Sequence, residues 1–349
     1  MSGIGAIGLM IESNLKLSDI AARAKVSRTT ISRVLFGTGG ENVRVSESTR
    51  ERILQIASKL DYRPNVAARM LTGKGSGIIG VLIDSHAPAI YFDCLRHLEH
   101  SAFTLGYRIM IAQQHENIDS LFTQALDFRS YGVEGIINFA HNYPQHEREI
   151  HEFMRIIPRV VYIRRPALAD ATAVQVDSET GVMHLVEHLL SRGRQHLGIF
   201  LADLEHATLQ QRYAGYQKGL ANAGLKLNKD YILFDHDFIF PTAENAKKIF
   251  QELYLDRGVD AIICQNDLFA AFVIKEALQH SCRIPEDLAI TGFDDLDFAA
   301  AFTPGITTIR QPTRRMAEEA VRLLHEMIQG ESKAQVINLQ PELIIRSST

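Results

Sequence analysis

The sequence predicts an all-α helix-turn-helix head-piece followed by an α/β domain of two doubly wound parallel-sheet lobes. Three observations carry this expectation. Residues 15–62 are basic and break into short amphipathic helices. From Gly77 onward, apolar strands alternate with helical stretches, the pattern of a parallel sheet covered on both faces. After Val174-Gln175-Val176 the alternation starts again, which implies a second lobe.

Composition narrows the class. The chain has 349 residues, 46% hydrophobic and 22% charged, ordinary for a soluble protein and long enough for more than one domain. No apolar run reaches membrane-spanning length. The opening stretch, residues 1–14, has no basic region ahead of its apolar residues and reads as a flexible tail rather than a signal peptide. Cys94, Cys264 and Cys282 are far apart and fit no metal spacing, so a reducing, cytoplasmic location is expected. Charge is unevenly spread. Between Leu15 and Lys74, twelve basic residues face five acidic ones, an excess of +7; with a net charge of −4, the remainder carries −11. A basic module on an acidic body points to nucleic acid as one partner.

In the head-piece, Leu17, Ile20, Ala21 and Ala24 share one helical face. Lys25-Val26 turns the corner, and Ser27 is a natural N-cap for a helix over 28–35. That second helix turns Ile31, Val34 and Leu35 inward and leaves Arg28, Thr29, Ser32 and Arg33 outside. Two short helices joined by a tight turn match a helix-turn-helix, whose second helix enters the major groove. Arginine can grip guanine in bidentate fashion, and Ser or Thr can reach bases or phosphates. A Gly-rich loop, Phe36 to Arg44, leads to a third helix capped by Ser46 and running to Lys59. Pro64 then stops the chain, Asn65 can cap a new turn, and Gly73, Gly75 and Gly77 loosen the backbone beyond Leu71. A helix this short is marginal in water unless something holds it.

The runs LSDIAARAKVSRTTISRVL and VSESTRERILQIASKLDYRPNVAARML resemble the head-piece of the lactose-repressor/galactose-repressor (LacI/GalR) family of transcriptional regulators, and the likeness extends more loosely over the rest of the chain. The resemblance implies that Arg28, Thr29 and Arg33 lie on the recognition helix and that Ser27 and Ser32 touch the DNA backbone. It implies that Asn65 to Leu71 is a hinge helix, with Ala68 in the minor groove and Leu71 wedged into a base step there. Apolar wedges of this kind unstack and kink a duplex. The Phe36–Arg44 loop is longer than in the lactose repressor itself, and Phe36 stands where a polar residue is frequent. The expected division is a tail at 1–14, a head-piece at 15–62, a hinge at 63–76 and an effector-binding and dimerisation domain at 77–349. Within that domain the first lobe takes about 77–174 and 311–331, the second about 175–310 and 332–349.

In the lobes, strands are expected at 78–83, 108–112, 135–139, 159–163, 197–201, 231–234, 261–264 and 288–291. Helices are expected at 91–105, 119–131, 146–156, 179–191, 210–223, 243–254 and 268–279, and a last strand, 336–345, in the second lobe. In such lobes ligand groups gather at the carboxyl ends of the strands. Asp84, Asn138, the Gln265-Asn266-Asp267 cluster and Gly292 to Asp295 stand at such ends, with Arg212 in QQRYAGY and Gln311 in TTIRQP. By resemblance Asp84, Asn138, Arg212, Asn266, Asp294 and Gln311 converge on an effector. Carboxylates and amides beside an arginine suit the paired hydroxyls of a sugar, and Tyr91, Phe238 or Phe240 are candidates for a stacking face. Asp267 and Asp295 are expected to cap helices or brace loops.

Other motifs fail their structural context. Gly3 to Gly8 spells GxGxxG with no strand before it, and His146 and His151 are five apart, not an HExxH pair. No third ligand accompanies His97 and His100, and no nucleophile accompanies Asp294, Asp295 and Asp297. The expectation is therefore a non-enzyme without metal or cofactor, off the membrane: a regulator, most simply a repressor, that binds a pseudo-palindromic double-stranded DNA operator as a homodimer. Its effector is expected to be a sugar or sugar phosphate, with a nucleobase or a protein corepressor as alternatives. A periplasmic-type solute-binding protein is the rival function.

Overall fold

The computed structural model describes residues 16–36, 45–60, 62, 70, 75–85, 87–114, 118–139, 146–157, 159–164, 170–235, 240–331 and 333–349. The chain divides into two compact units that meet at Ile78 and Ile79. The expected hinge, apart from Met70, Gly75 and Ser76, the 37–44 part of the glycine-rich loop and the GxGxxG stretch lie outside the described residues.

In the first unit, helices α1 (Leu17–Ala24), α2 (Arg28–Phe36) and α3 (Glu47–Lys59) enclose a small core of Ile20, Ala21, Ala24, Ile31, Ile53 and Ala57. The caps do what their residue types predict. Ser27 Oγ accepts the amide of Thr30 at 3.1 Å, and Ser46 Oγ accepts that of Thr49 at 3.3 Å. Lys25 takes a left-handed conformation (φ 52°) at the end of α1, which makes the tight corner between the two motif helices.

The second unit holds two parallel sheets. Strands β1 (Ile78–Asp84), β2 (Arg108–Gln114), β3 (Ile136–Asn138), β4 (Val160–Ile163) and β5 (Thr172–Val176) alternate with helices α4 (Ala89–Thr104), α5 (Ile118–Ser130) and α6 (Glu147–Met154). Helix α7 (Ser178–Ser191) opens the second lobe, followed by β6 (Leu197–Leu201), α8 (Ala207–Asn222), β7 (Ile232–Phe234), α9 (Ala243–Ile249), β8 (Ala261–Cys264), α10 (Asp267–Gln279), β9 (Ala289–Thr291) and the short α11 (Asp297–Ala301). The chain ends through β10 (Thr308–Arg310), α12 (Thr313–Gln329), β11 (Val336–Leu339) and β12 (Glu342–Ile344). The first sheet has the order β11-β5-β4-β3-β1-β2 and the second β7-β6-β8-β9.

Alternation of side chains along each strand fills two cores per lobe. Ile79, Val81 and Ile83 pack towards α4 and α12, whereas Leu82 packs towards α5 and α6. In the second lobe Phe200, Ile262 and Cys264 face one helical layer and Ile199, Leu201 and Ile263 the other. Helices α7 and α8 approach closely through glycines. A β-carbon at Gly215 would stand 2.2 Å from the carbonyl oxygen of Glu179, and one at Gly219 would stand 2.7 Å from Val186.

Two expectations are corrected. Val336–Leu339 does not extend the second lobe: it pairs in parallel with β5 at the edge of the first sheet, Val336 opposite Ala173 and Leu339 opposite Val176. Only Glu342–Ile344 goes with the second-lobe connections, antiparallel to β10. The physical reason is the run Gln340-Pro341, which ends one strand before the other begins. The helix expected at 243–254 is α for its first seven residues and continues as a π-helix over Phe250–Asp256. The chain thus passes between the lobes at 176–178, 310–313 and 339–342.

The α7–α8 contact gives a direct test. Gly215→Ala must push apart two backbones and is expected to destabilise the protein by about 1–3 kcal/mol in urea denaturation. Gln217→Ala, on the exposed face of the same helix, should stay within about 0.5 kcal/mol of the parent.

Candidate functional site

The site lies at the carboxyl ends of the strands, where the lobes connect. Arg212, on the second turn of α8, is 7% exposed. Three contacts hold its guanidinium: one Nη donates to the carbonyl of Gln265, the other stands 3.7 Å from Asp294 Oδ1, and Cζ lies 3.8 Å over the Phe293 ring. Among the described residues its Nε has no acceptor. Asp294 is buried just beyond β9, in an unusual backbone conformation (φ 115°) held by its amide's hydrogen bond to the carbonyl of Ile309 at 2.8 Å. Its Oδ1 accepts from Gln311 Nε2 at 2.6 Å. Tyr91, on α4 of the first lobe, lies within electrostatic reach of Arg164, Arg212 and Asp294, and its ring meets Phe139 edge-on at 5.5 Å. Asp84 and Asn138 are buried at the ends of the neighbouring strands β1 and β3.

Burial sets the protonation chemistry. Asp294 is pushed up to about 6, with Arg212 and Gln311 opposing the rise. Asp267 is pushed up to about 8 by burial and by the neighbouring Asp294, although Thr308 Oγ1 and the Leu296 amide both donate to it. Burial lowers Arg212 and raises Tyr91 from their ordinary values. Two carboxyls so close in a buried place resist simultaneous ionisation.

The structure thus brings Arg212, Asp294 and Gln311 together, with Tyr91 within electrostatic reach. Asn266 has another duty: its side-chain oxygen caps α10 by accepting the amide of Phe269 at 3.0 Å. Asp267 and Asp295 are braces. Asp295 takes Arg310 at 2.7 Å and also pairs with Arg346. Phe238 lies outside the described residues, and Phe240 is half exposed. Sequence reasoning missed Arg164, which follows β4 with φ 77° and donates from Nη1 to Thr208 Oγ1 of the second lobe at 3.2 Å. The signal available was a cation closing a fully apolar strand.

In the helix-turn-helix, Ser27, Arg28 and Thr29 are exposed and Ser32 and Arg33 half-buried along the outer side of α2, while Ile31 is buried beneath them. The Ser27 oxygen is engaged in the cap and pairs with Thr30 Oγ1 at 2.8 Å. Asn65, Ala68 and Leu71 lie outside the described residues.

Comparison with known proteins matches these two halves separately. Residues 16–65 fit the profile of bacterial regulatory proteins of the LacI family, and residues 186–349 fit that of a periplasmic binding protein-like domain. The chain thus pairs a LacI-type helix-turn-helix domain with a periplasmic binding protein-like domain. The HTH-type transcriptional repressor PurR of Vibrio campbellii is 26% identical over 340 residues, covering 95% of this chain and 98% of that one. PurR of Pasteurella multocida is 28% identical over 333 residues, covering 95% and 98%. Among solved structures, the Lac repressor dimer bound to operator and the anti-inducer ONPF superposes with a TM-score of 0.81 at 23% identity, covering 96% of this chain and 99% of that one. The CelR–cellobiose complex superposes with 0.69 at 23% identity, covering 96% and 100%. Among the described residues, no helix is long and apolar enough to cross a membrane, and no group of three or more His, Cys, Asp or Glu is placed to hold a metal.

The buried acids give a pH prediction. A carboxyl whose pKa is raised on folding binds protons that the unfolded chain releases near pH 4, so stability falls as pH rises. Between pH 5 and 8 the cleft acids should remove on the order of 1–4 kcal/mol. Asp267→Asn can still accept from Leu296 and donate to Thr308 but cannot ionise. Urea titrations at pH 5, 6, 7 and 8 should show a flatter profile for this variant.

Proposed function

We propose that this protein is a ligand-responsive transcriptional repressor. Two copies place their α2 helices in successive major grooves of a pseudo-palindromic operator, and a small molecule in the cleft controls that binding. The observation that carries this reading is the pairing, in one chain, of an outward-facing Arg28-Thr29-Ser32-Arg33 surface with the buried Arg212–Asp294–Gln311 cluster. Relatives matched over nearly their whole length are named repressors, which supports the negative sign. The match of residues 16–65 to the LacI-family profile favours this reading over a solute-binding protein. A cytoplasmic location follows from it. Nothing in the cleft calls for catalysis: its buried groups hold one another and present polar atoms to a bound molecule.

The effector is proposed to be a sugar or a sugar derivative. Alternating carboxylate, amide and guanidinium groups fit vicinal hydroxyls, each of which both donates and accepts. The CelR–cellobiose complex shows a sugar ligand in a neighbour of the same fold. A nucleobase is the second reading, favoured by the aromatic rings of Tyr91 and Phe293 beside the polar cluster. Asp84, Asn138 and Phe238 complete the proposed set; Asn266 contributes through the part of its amide not used in the cap.

A homodimer is proposed on the exposed side of the first sheet. Strand β2 is the sheet edge and carries Ile111, 52% exposed, and α4 exposes Phe103 and precedes exposed Leu105. Arg108 stacks over Phe103 at 4.6 Å. Such a patch beside an open edge is normally covered by a partner.

In the hinge, Leu71 is proposed as the minor-groove wedge, with Asn65 and Ala68 beside it. Binding-site selection from random duplexes, followed by gel shifts, tests the whole reading: the wild-type chain should enrich a two-fold symmetric site. Arg33→Ala should weaken that site by about 1–3 kcal/mol, with a smaller loss on random DNA. Leu71→Ala should lower operator affinity while effector affinity, measured by calorimetry, stays within about twofold. Failure to enrich any site, with or without candidate effectors, overturns the regulator reading.

A further inference from the structure

Two consecutive residues after β9 have positive φ without being glycine: Asp294 at 115° and Asp295 at 55°. Such angles are uncommon for residues with a side chain, and two in a row need support from outside the loop. The backbone supplies part of it. The Asp294 amide donates to the Ile309 carbonyl at 2.8 Å, and the Asp295 amide reaches Thr308 Oγ1 at 3.4 Å, a long bond. The rest comes through the Asp295 carboxylate, whose side chain is only 7% exposed. Arg346 donates from Nη2 to its Oδ1 at 2.5 Å, and Arg310 from Nε to its Oδ2 at 2.7 Å. Arg310 also donates from Nη1 to Glu342 Oε2 at 3.1 Å, so that among the described residues two cations meet two anions.

The members of this set differ in weight. The Arg310 and Glu342 side chains are 49% and 65% exposed, and an ion pair so open to water contributes little. The Arg346 side chain is 17% exposed and faces a carboxylate that is nearly dry, where removing one partner leaves a buried charge unanswered. Arg346 is also anchored independently of Asp295. Its amide donates to Thr307 Oγ1 at 2.9 Å and its Nη1 to the Ile306 carbonyl at 2.7 Å. Two residues on, Ser348 exchanges bonds with Ile290 of β9: its carbonyl accepts the Ile290 amide at 3.0 Å, and its hydroxyl donates to the Ile290 carbonyl at 2.6 Å. The guanidinium therefore projects from backbone fixed to the second sheet, and the strained loop is what it holds.

We infer that Arg346 is a positioning residue for the effector site: by clamping the Asp295 carboxylate, it keeps the loop in the conformation that delivers Asp294 to Arg212 and Gln311. This rests on the cleft being the effector site. Asp294 Oδ1 meets Gln311 Nε2 at 2.6 Å and Arg212 at 3.7 Å. A backbone free to return to negative φ no longer presents that carboxylate to both. Arg346 acts only through Asp295, and Arg310 and Glu342 are lesser members of the same clamp.

The test compares Arg346→Met, Arg346→Lys, Asp295→Asn and Glu342→Gln with the parent, all as the full-length protein. Hydrogen exchange read by mass spectrometry needs no ligand. In Arg346→Met, peptides carrying the Asp294 and Leu296 amides, which are bonded to Ile309 and Asp267, should exchange at least about tenfold faster than in the parent, while those of β6 and β8 stay within about twofold. Arg346→Lys keeps the charge and should stay within about threefold of the parent. Asp295→Asn leaves Arg346 anchored, should match Arg346→Met, and gives the same readout if Arg346→Met does not fold. Glu342→Gln should behave as the parent. Calorimetry with glucose, cellobiose, adenine and guanine is the functional arm. Any of these that binds the parent and is lost in Asp294→Asn should bind Arg346→Met at least about tenfold more weakly, and Arg346→Lys within about threefold of the parent. The inference is overturned if loop exchange is unchanged in Arg346→Met and Asp295→Asn, if all peptides speed up together, if Arg346→Lys is no better than Arg346→Met, or if a ligand that needs Asp294 binds Arg346→Met as tightly as the parent. Ligands indifferent to Asp294→Asn, or no binder at all, count against the cleft as effector site, and the exchange arm then decides by itself whether Arg346 holds the loop.

Discussion

The structure of the effector lobes turns on one buried ion pair. A guanidinium removed from water must recover its hydration within the protein, and Arg212 does so through groups from two separate strand ends: the Gln265 carbonyl after β8, and Phe293 and Asp294 after β9, the latter tied in turn to Ile309 in β10. Asp294 must adopt a positive φ to reach it, and Gln311 must leave β10 at the point where it can donate to Asp294. The connection from β10 to α12, one of the passages between the lobes, is therefore fixed by the need to satisfy Arg212. Replacing the pair with apolar groups could serve stability as well. What the pair adds is a polar surface in a dry place, and that is the requirement of a binding site.

The head-piece has a different constraint. Its core is six buried side chains, all of them Ile or Ala. So few apolar contacts leave caps and corners a large share of the stability. Ser27, Ser46 and the left-handed Lys25 are those caps and corners, and Ser27 sits at the amino end of the helix that carries Arg28 and Arg33. The same residues that hold the motif together also orient the face offered to DNA.

Much of this was legible in the sequence, for reasons that differ by element. Leu197–Leu201 and Ala261–Cys264 were found to the residue because a short run of buried apolar side chains between polar flanks has one reading in an α/β chain. Ser27 and Ser46 were found because a cap is a local event. The partnership of Arg212, Asp294 and Gln311 came from resemblance, since nothing local joins residues so far apart in the chain. Three features had no local trace. Val336–Leu339 reads as a strand in either sheet, and only pairing with Thr172–Val176 decides which. The apolar spacing of Ile249, Phe250 and Leu253 fits an α-helix, so the π-helix is silent. Asn266 looks like a ligand group or a cap, and the amide of Phe269 chooses the second. Arg164 is the clearest case: its place depends on a backbone angle and on Thr208, 44 residues away.

One strand runs from the junction of the two units to the cleft. Strand β1 begins at Ile78, directly after Gly75, Ser76 and Gly77, and ends at Asp84, the buried carboxylate of the first lobe. It is one of the central strands of the first sheet, with β3 on one side and β2 on the other, and its side chains fill both cores of the lobe. A strand so held has no slack: seven residues span about 20 Å at the usual rise, and a shift at one end is a shift at the other. Gly80 adds to this, because a β-carbon there would meet the Phe128 ring at 2.5 Å, so the strand lies directly against α5.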